Sequence, residues 1–242
     1  MATEIVRQLS VNVLISDVMR SMGLTPPATV FGSSNAIANQ LVELSDEVGI
    51  FLLGVNPAGW KFFEREQLIT GDGVDTVFPV PEDWEAYIGN AMWDRSSSNP
   101  SVGPLAEFEW QSIKARTAAG SSFNTLFRME DENIVFYQAP PTGHTLYFAY
   151  RGRGWLKNGT SYYDAIHAAD DTILHEPYLF KCALRERWRE EKGFDTAAAQ
   201  RRTAQALALA KAKDRPGRNI SLVPVGVHLL GDINIPSTGF GL

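Results

Sequence analysis

The chain has 242 residues, 44% hydrophobic and 21% charged, with a formal net charge of −6 and a pI near 5.3. That balance suits a globular protein of one or two compact units, and the acidic total argues against a dedicated nucleic-acid binder, whose phosphate contacts leave a strongly basic footprint. The single cysteine, Cys182, rules out an intramolecular disulfide and a thiolate metal cluster within one chain, and no stretch reaches the roughly 18 consecutive apolar residues of a membrane span.

The N-terminal segment lacks the cationic start, apolar run and cleavage site of a signal peptide, so export by that route is not expected. Ile5, Leu9, Val13, Val18 and Met22 recur at helical spacing and predict a first helix over 4–22, stopped by Gly23 and Thr25-Pro26-Pro27. Ser33 or Ser34 can cap a second helix whose Ile37, Leu41, Leu44, Val48 and Phe51 form one apolar face, with Gly54 and Pro57 ending it.

From about residue 60 to 155 short aromatic and β-branched runs alternate with turn residues, the texture of antiparallel strands. Gly71-Asp72-Gly73 and Pro140-Pro141-Thr142-Gly143 each read as the turn of a hairpin, and the RMEDEN stretch as a hairpin tip. Between them, PLAEFEWQSIKAR predicts a short helix anchored by Phe108 and Trp110. Asn158-Gly159-Thr160 and HAADDT read as loops, the second solvated.

Helical spacing returns near residue 175. Pro177 suits a first helical position, and Phe180, Leu184 and Trp188 form a structural core stripe that leaves most charges on the other face. Full burial would make Trp188→Ala cost about 3–5 kcal/mol. Gly193 can end this helix with Phe194 folding back on Trp188, and Asp195 can cap an alanine-rich partner helix. Beyond Pro216, glycines and prolines forbid a helix and leave an apolar extended arm carrying Ile220, Leu222, Val223, Val225, Val227, Leu229, Leu230, Ile233, Ile235 and Phe240. The expected fold class is therefore α+β: a helical domain from residues 1–56 and 175–215, an inserted, mostly antiparallel β domain over 57–174, and an arm over 216–242.

The sequence offers little conventional chemistry. His144, His167, His175 and His228 make no metal-binding spacing, and no nucleophile elbow, phosphate loop or dinucleotide fingerprint occurs. No catalytic residue, cofactor or metal is expected. Glu107, Glu109, Asp131, Glu132, Asp170 and Asp171 are carboxylates that a cell-wall hydrolase could use on paper. A glycan- or tail-fibre-binding module would instead gather Trp60, Trp84 and Trp93 on one face. Between 185 and 218 basic residues outnumber acidic ones two to one, against the bias of the whole chain. Arg185, Arg189, Arg201, Arg202, Lys211 and Arg215 are accordingly candidates for meeting an acidic protein surface or DNA, the alternative being a solvated face laced with ion pairs.

Three features occur in order: W-D-R at Trp93 to Arg95, G-P-L at Gly103 to Leu105 with E-W-Q at Glu109 to Gln111, and R-W-x-x-x-K-G-x-D from Arg187 to Asp195. With the strands between them they span most of 35–218, and the chain so read resembles the head-to-tail adaptor (connector) proteins of tailed bacteriophages. The resemblance implies a structural virion protein at the head-to-tail junction, made in the host cytoplasm. It implies a homo-oligomeric ring of sister copies, twelvefold by family expectation, joined to a portal protein above and a tail or nozzle protein below, with no membrane partner. Genomic DNA would pass through the channel, and the arm would reach the portal. Thr196 stands where relatives often carry an aromatic residue, a departure at the helix turn.

Overall fold

A computed structural model describes residues 8–115 and 125–214. The fold is α+β. A two-residue strand, β1 (Leu9–Ser10), runs directly into α1 (Val11–Ser21). Among the described residues the helix thus starts at Val11, not at residue 4, because Leu9 and Ser10 pair with Ile173 and Thr172, and the Ser10 side chain accepts from the Val13 N–H. Gly23, at φ 77°, closes α1 by donating to the Arg20 carbonyl.

The second helix, α2 (Ala36–Gly54), is capped by Asn35, whose Oδ1 accepts from Ile37 N at 3.0 Å and Ala38 N at 3.1 Å. Ser33 serves the cap one step removed, accepting from Asn35 N. Ala38, Leu41, Leu44, Val48 and Leu52 turn inward, whereas Phe51 falls outside that line and is 63% exposed.

After a 3₁₀ turn (Lys61–Phe63) come β2 (Glu64–Thr70), β3 (Val77–Pro79), β4 (Trp84–Asp94), β5 (Asn99–Pro100) and α3 (Glu107–Lys114). Then follow β6 (Phe127–Glu130), β7 (Asn133–Phe136), β8 (Thr145–Gly152), β9 (Leu156–Asn158), β10 (Ser161–Tyr163) and β11 (Thr172–Ile173), before α4 (Pro177–Glu191) and α5 (Ala197–Asp214). Three antiparallel sheets result, in the orders β2-β8-β4-β5, β3-β7-β6 and β1-β11-β9-β10.

The β6–β7 hairpin forms at its expected tip, with Asp131 and Glu132 at φ 45° and 60° as a type I′ turn requires. The other two expected hairpins do not form. β2 pairs with β8 while β3 pairs with β7, so the chain changes sheet at Gly71–Gly73, and changes again at Pro140–Gly143. The two crossing loops bind each other: Gly71 N donates to His144 O and Gly143 N to Gly71 O, both at 2.8 Å. A Cβ on Gly71 would lie 2.5 Å from the Pro141 carbonyl oxygen, so glycine serves a close crossing here, not a two-strand turn.

Two apolar clusters organise the chain. One lies among α1, α2, α4 and α5 and also takes Trp60, Phe63, Trp155, Leu156 and Ile173 from the 57–174 stretch. The other, built on Met92, Phe127, Ile134, Phe136, Leu146 and Phe148, is drawn from the β2-β8-β4-β5 and β3-β7-β6 sheets. Trp155 lies on Gly49 of α2: a Cβ there would sit 2.3 Å from the indole, so only glycine admits the ring. Trp155 stacks on Phe180 at 5.6 Å, with buried His175 beside both.

His175 Nε2 is 3.0 Å from the Gly49 carbonyl, the geometry of a neutral imidazole donating that proton. Burial depresses its pKa from 6.5 to about 4, the Gly49 hydrogen bond opposing weakly. Between those values the unfolded chain binds the proton that the folded one refuses. Stability present at pH 7 is therefore lost as pH falls from about 6.5 toward 4, by about 3 kcal/mol. Urea midpoints should drop from pH 7 to pH 4.5, and His175→Gln should remove most of that drop.

Candidate functional site: the α4–α5 hairpin

Glu176 opens α4 by accepting from Leu179 N at 2.7 Å, and Pro177 occupies the first turn where no amide is needed. Phe180 and Leu184 are fully buried, as the stripe requires. Trp188, the third member, is only partly buried and its Nε1 has no partner among the described residues. Gly193 at φ 68° and Phe194 donate to Glu190 O and Arg189 O, and the Phe194 ring returns to Trp188 with centroids 5.8 Å apart. Asp195 Oδ1 accepts from Ala197 N at 3.0 Å and starts α5. Ala206 and Ala210 are the buried residues of α5, small enough to bring the two helices close.

The basic residues of this hairpin divide by environment. Arg187 is paired with Glu47 at 3.0 Å and Glu190 at 2.9 Å, and those hydrogen bonds hold its guanidinium pKa above the usual range. Lys211 donates to Val55 O at 2.9 Å and so satisfies the carbonyl end of α2, an intrachain role that the expectation of a ring or channel contact did not include. Arg201 reaches its own Ala197 carbonyl at 3.2 Å. Among the described residues Arg185, Arg189 and Arg202 form no ion pair and no side-chain hydrogen bond; with Cys182, Ala198 and Ala199 they line a depression of about 210 Å³. Burial raises the Cys182 pKa although Tyr178 and then Arg185 and Arg202 oppose it, the condition of a packed thiol. Arg215 and the arm residues Ile220 to Phe240 lie outside the described residues.

An apolar groove of about 470 Å³ runs between α2, α4 and α5, with Val48, Phe51, Ala183, Ala204 and Leu207 in its walls and Arg187 on its rim. Sequence periodicity missed it by assigning Phe51 to the core. The residue lies three positions from Val48, and that spacing alone does not say which of two adjacent helix faces is covered.

A polar cleft of about 700 Å³ separates the β2–β8 edge from β9 and β10. At its base Arg65 pairs with Asp83, donates to Gly154 O at 2.6 Å and stacks 3.4 Å above the Tyr162 ring, while Tyr150 donates to Asp83 at 2.9 Å. Burial lowers the Arg65 pKa. These residues bind one sheet to another across the chain, and no short motif announces them.

Three of the six carboxylates weighed as hydrolytic groups, Glu107, Glu109 and Asp171, have structural partners. Glu109 accepts from Ala106 N at 3.1 Å at the start of α3; Glu107 binds Arg128 at 2.7 Å and Gln111 at 2.6 Å. Asp171 is fully buried, not solvated as its loop suggested, and organises that loop by accepting from His167 N, Ala168 N and Asn158. Phe108, expected as an anchor of α3, is 84% exposed, and Trp110 alone is buried there, edge-on to Tyr137. Trp60, Trp84 and Trp93 share no exposed face: Trp60 is buried in the helical cluster, Trp84 is stacked on Tyr150, and Trp93 is half exposed. In the W-D-R segment, burial raises the Asp94 pKa, but hydrogen bonds from His144, Ser97 and Ser96 outweigh it and hold the carboxyl below the usual range. Arg95 pairs with Glu66 and stacks 3.6 Å above Tyr147. Among the described residues no group of three or more His, Cys, Asp or Glu is placed to hold a metal ion. No family model matches the chain, and no curated protein matches it.

Partial burial revises the cost at Trp188. Trp188→Ala should destabilise by about 2 kcal/mol and Trp155→Ala by about 3–5 kcal/mol, as read from urea unfolding. Arg65→Met should cost about 3–5 kcal/mol by leaving Asp83 buried and unpaired, and Arg65→Met with Asp83→Leu should recover most of it.

Proposed function

We propose that the protein is a structural head-to-tail adaptor of a tailed bacteriophage: a ring of sister copies that joins the portal to tail or nozzle protein and leaves a channel for the genome. The observation that carries this reading is the α4–α5 hairpin. The same R-W-x-x-x-K-G-x-D segment that resembles the adaptor family builds its turn, and the surrounding surface carries an apolar groove and three arginines that have no partner among the described residues. Such surfaces are stabilised by protein neighbours. Exposed Ile50, Phe51 and Leu209, at 59%, 63% and 57%, extend the apolar character around the helical body.

Function on this reading is assembly, with no bond made or broken. Portal attachment falls to the apolar arm over 216–242. The end of α5 that leads into it is tied to the body, since the Asp214 carboxylate accepts from Lys61 N at 3.1 Å. The helical body supplies one side of the ring contacts. The net negative charge suits a passage that must release DNA better than one that must hold it.

Light scattering after size exclusion, on the protein alone and mixed with its portal, tests the reading. A large complex of defined mass is expected with the portal, and deletion of 219–242 should abolish it while leaving the circular dichroism of the core unchanged. A protein that stays monomeric and ignores the portal would overturn the adaptor assignment.

A further inference from the structure

We propose that the arginine depression on the α4–α5 hairpin receives α3 of a second copy of this chain, with Phe108 of one copy seated beside Trp188 and Phe194 of the next. The inference deepens the ring reading and rests on it, since it names the contact between sister copies.

Two unsatisfied surfaces carry it. On the hairpin, Arg185 and Arg189 are shared between the depression and an adjoining slot of about 420 Å³ walled by Met22, Trp188 and Phe194. Two cations thus border a slot with Met22, Trp188 and Phe194 in its walls, and the Trp188 Nε1 is buried without an acceptor among the described residues. On α3, Phe108 is 84% exposed, more than any other large hydrophobic residue among those described, and it stands between two exposed glutamates, Glu107 and Glu109. An exposed phenylalanine flanked by carboxylates is the chemical complement of an apolar slot flanked by arginines. Both glutamates already hold partners in their own copy, yet a carboxylate offers about four acceptor sites and can take a guanidinium besides. A phosphodiester backbone would satisfy the arginines but leave the slot unfilled, so a polypeptide fits better than DNA.

The two patches differ, so the contact is heterologous: each copy gives α3 to one neighbour and its hairpin to the other. Repetition closes a ring or extends a filament.

Replacing Phe108 by photoreactive benzoylphenylalanine in the full chain tests the contact. Ordinary and heavy-isotope chains are mixed at the highest soluble concentration, with and without portal, and crosslinked peptides are sequenced. Crosslinks from position 108 to Met22, Trp188 or Phe194 in mixed-isotope pairs are expected. Phe108→Ala, and Arg185→Glu with Arg189→Glu, should each weaken self-association about tenfold or more in sedimentation, with circular dichroism unchanged. Assembly with crosslinks elsewhere would overturn this contact and leave the ring reading standing. Absence of both assembly and crosslinks, with the portal present, would overturn both. Charge reversal that abolishes binding to duplex DNA but spares self-association would mark the depression as a phosphate site and overturn the proposal.

Discussion

The contact of Trp155 with Gly49 sets the arrangement of everything around it. An indole is wide and flat, and it can lie directly on the backbone of a helix only where no side chain intervenes; Gly49 supplies that bare surface in the middle of α2. Once the ring is seated, its Nε1 is satisfied by Asp164 O at 2.8 Å, Phe180 of α4 stacks on it, and His175 fills the remaining corner by donating to the Gly49 carbonyl. The strand β9 begins at the next residue and carries the sheet that also takes in β1 and β11. Helix α2, the end of the β region and α4 are thus bound at one point by close packing and two hydrogen bonds.

The polar groups follow the same economy. Most carboxylates with a conspicuous position in the sequence are occupied in holding backbone: Asp171 gathers the loop before β11, Glu109 starts α3, Glu176 starts α4 and Asp195 starts α5. Each satisfies amides that a helix end or tight loop leaves open. The Arg65–Asp83 pair does a larger task, fixing the angle between two sheets through a carbonyl, a tyrosine hydroxyl and an aromatic face. Against that background the arginines on α4 and α5 stand out. A chain that pairs Arg187, Arg95 and Arg128 with neighbouring glutamates leaves Arg185, Arg189 and Arg202 to face outward around a shared depression. Their desolvation by a complementary surface would be favourable only if carboxylates arrive with them.

Local patterns in the sequence determined a good deal. The Phe180–Leu184–Trp188 stripe, the Gly193 turn with Phe194 folded back, the cap at Asp195 and the β6–β7 tip all depend on spacing and on residues suited to one backbone conformation, so they are legible within a dozen positions. The α+β class follows from the same periodicities. Decisions that need a partner distant in the chain were left to the tertiary structure. Turn residues at Gly71 and Pro140 mark where the chain bends but carry no information on which strand it meets, and the two loops that resemble hairpin turns proved to be crossings between sheets. Burial is likewise a property of neighbours: Phe51 and Phe108 are large and apolar, yet no second element among the described residues covers them, while Asp171 is a charged residue and is enclosed. For the same reason no reading of single residues could separate Lys211, which caps α2, from Arg185, Arg189 and Arg202, which find no partner among the described residues, because that difference lies in what the folded chain brings within hydrogen-bonding distance.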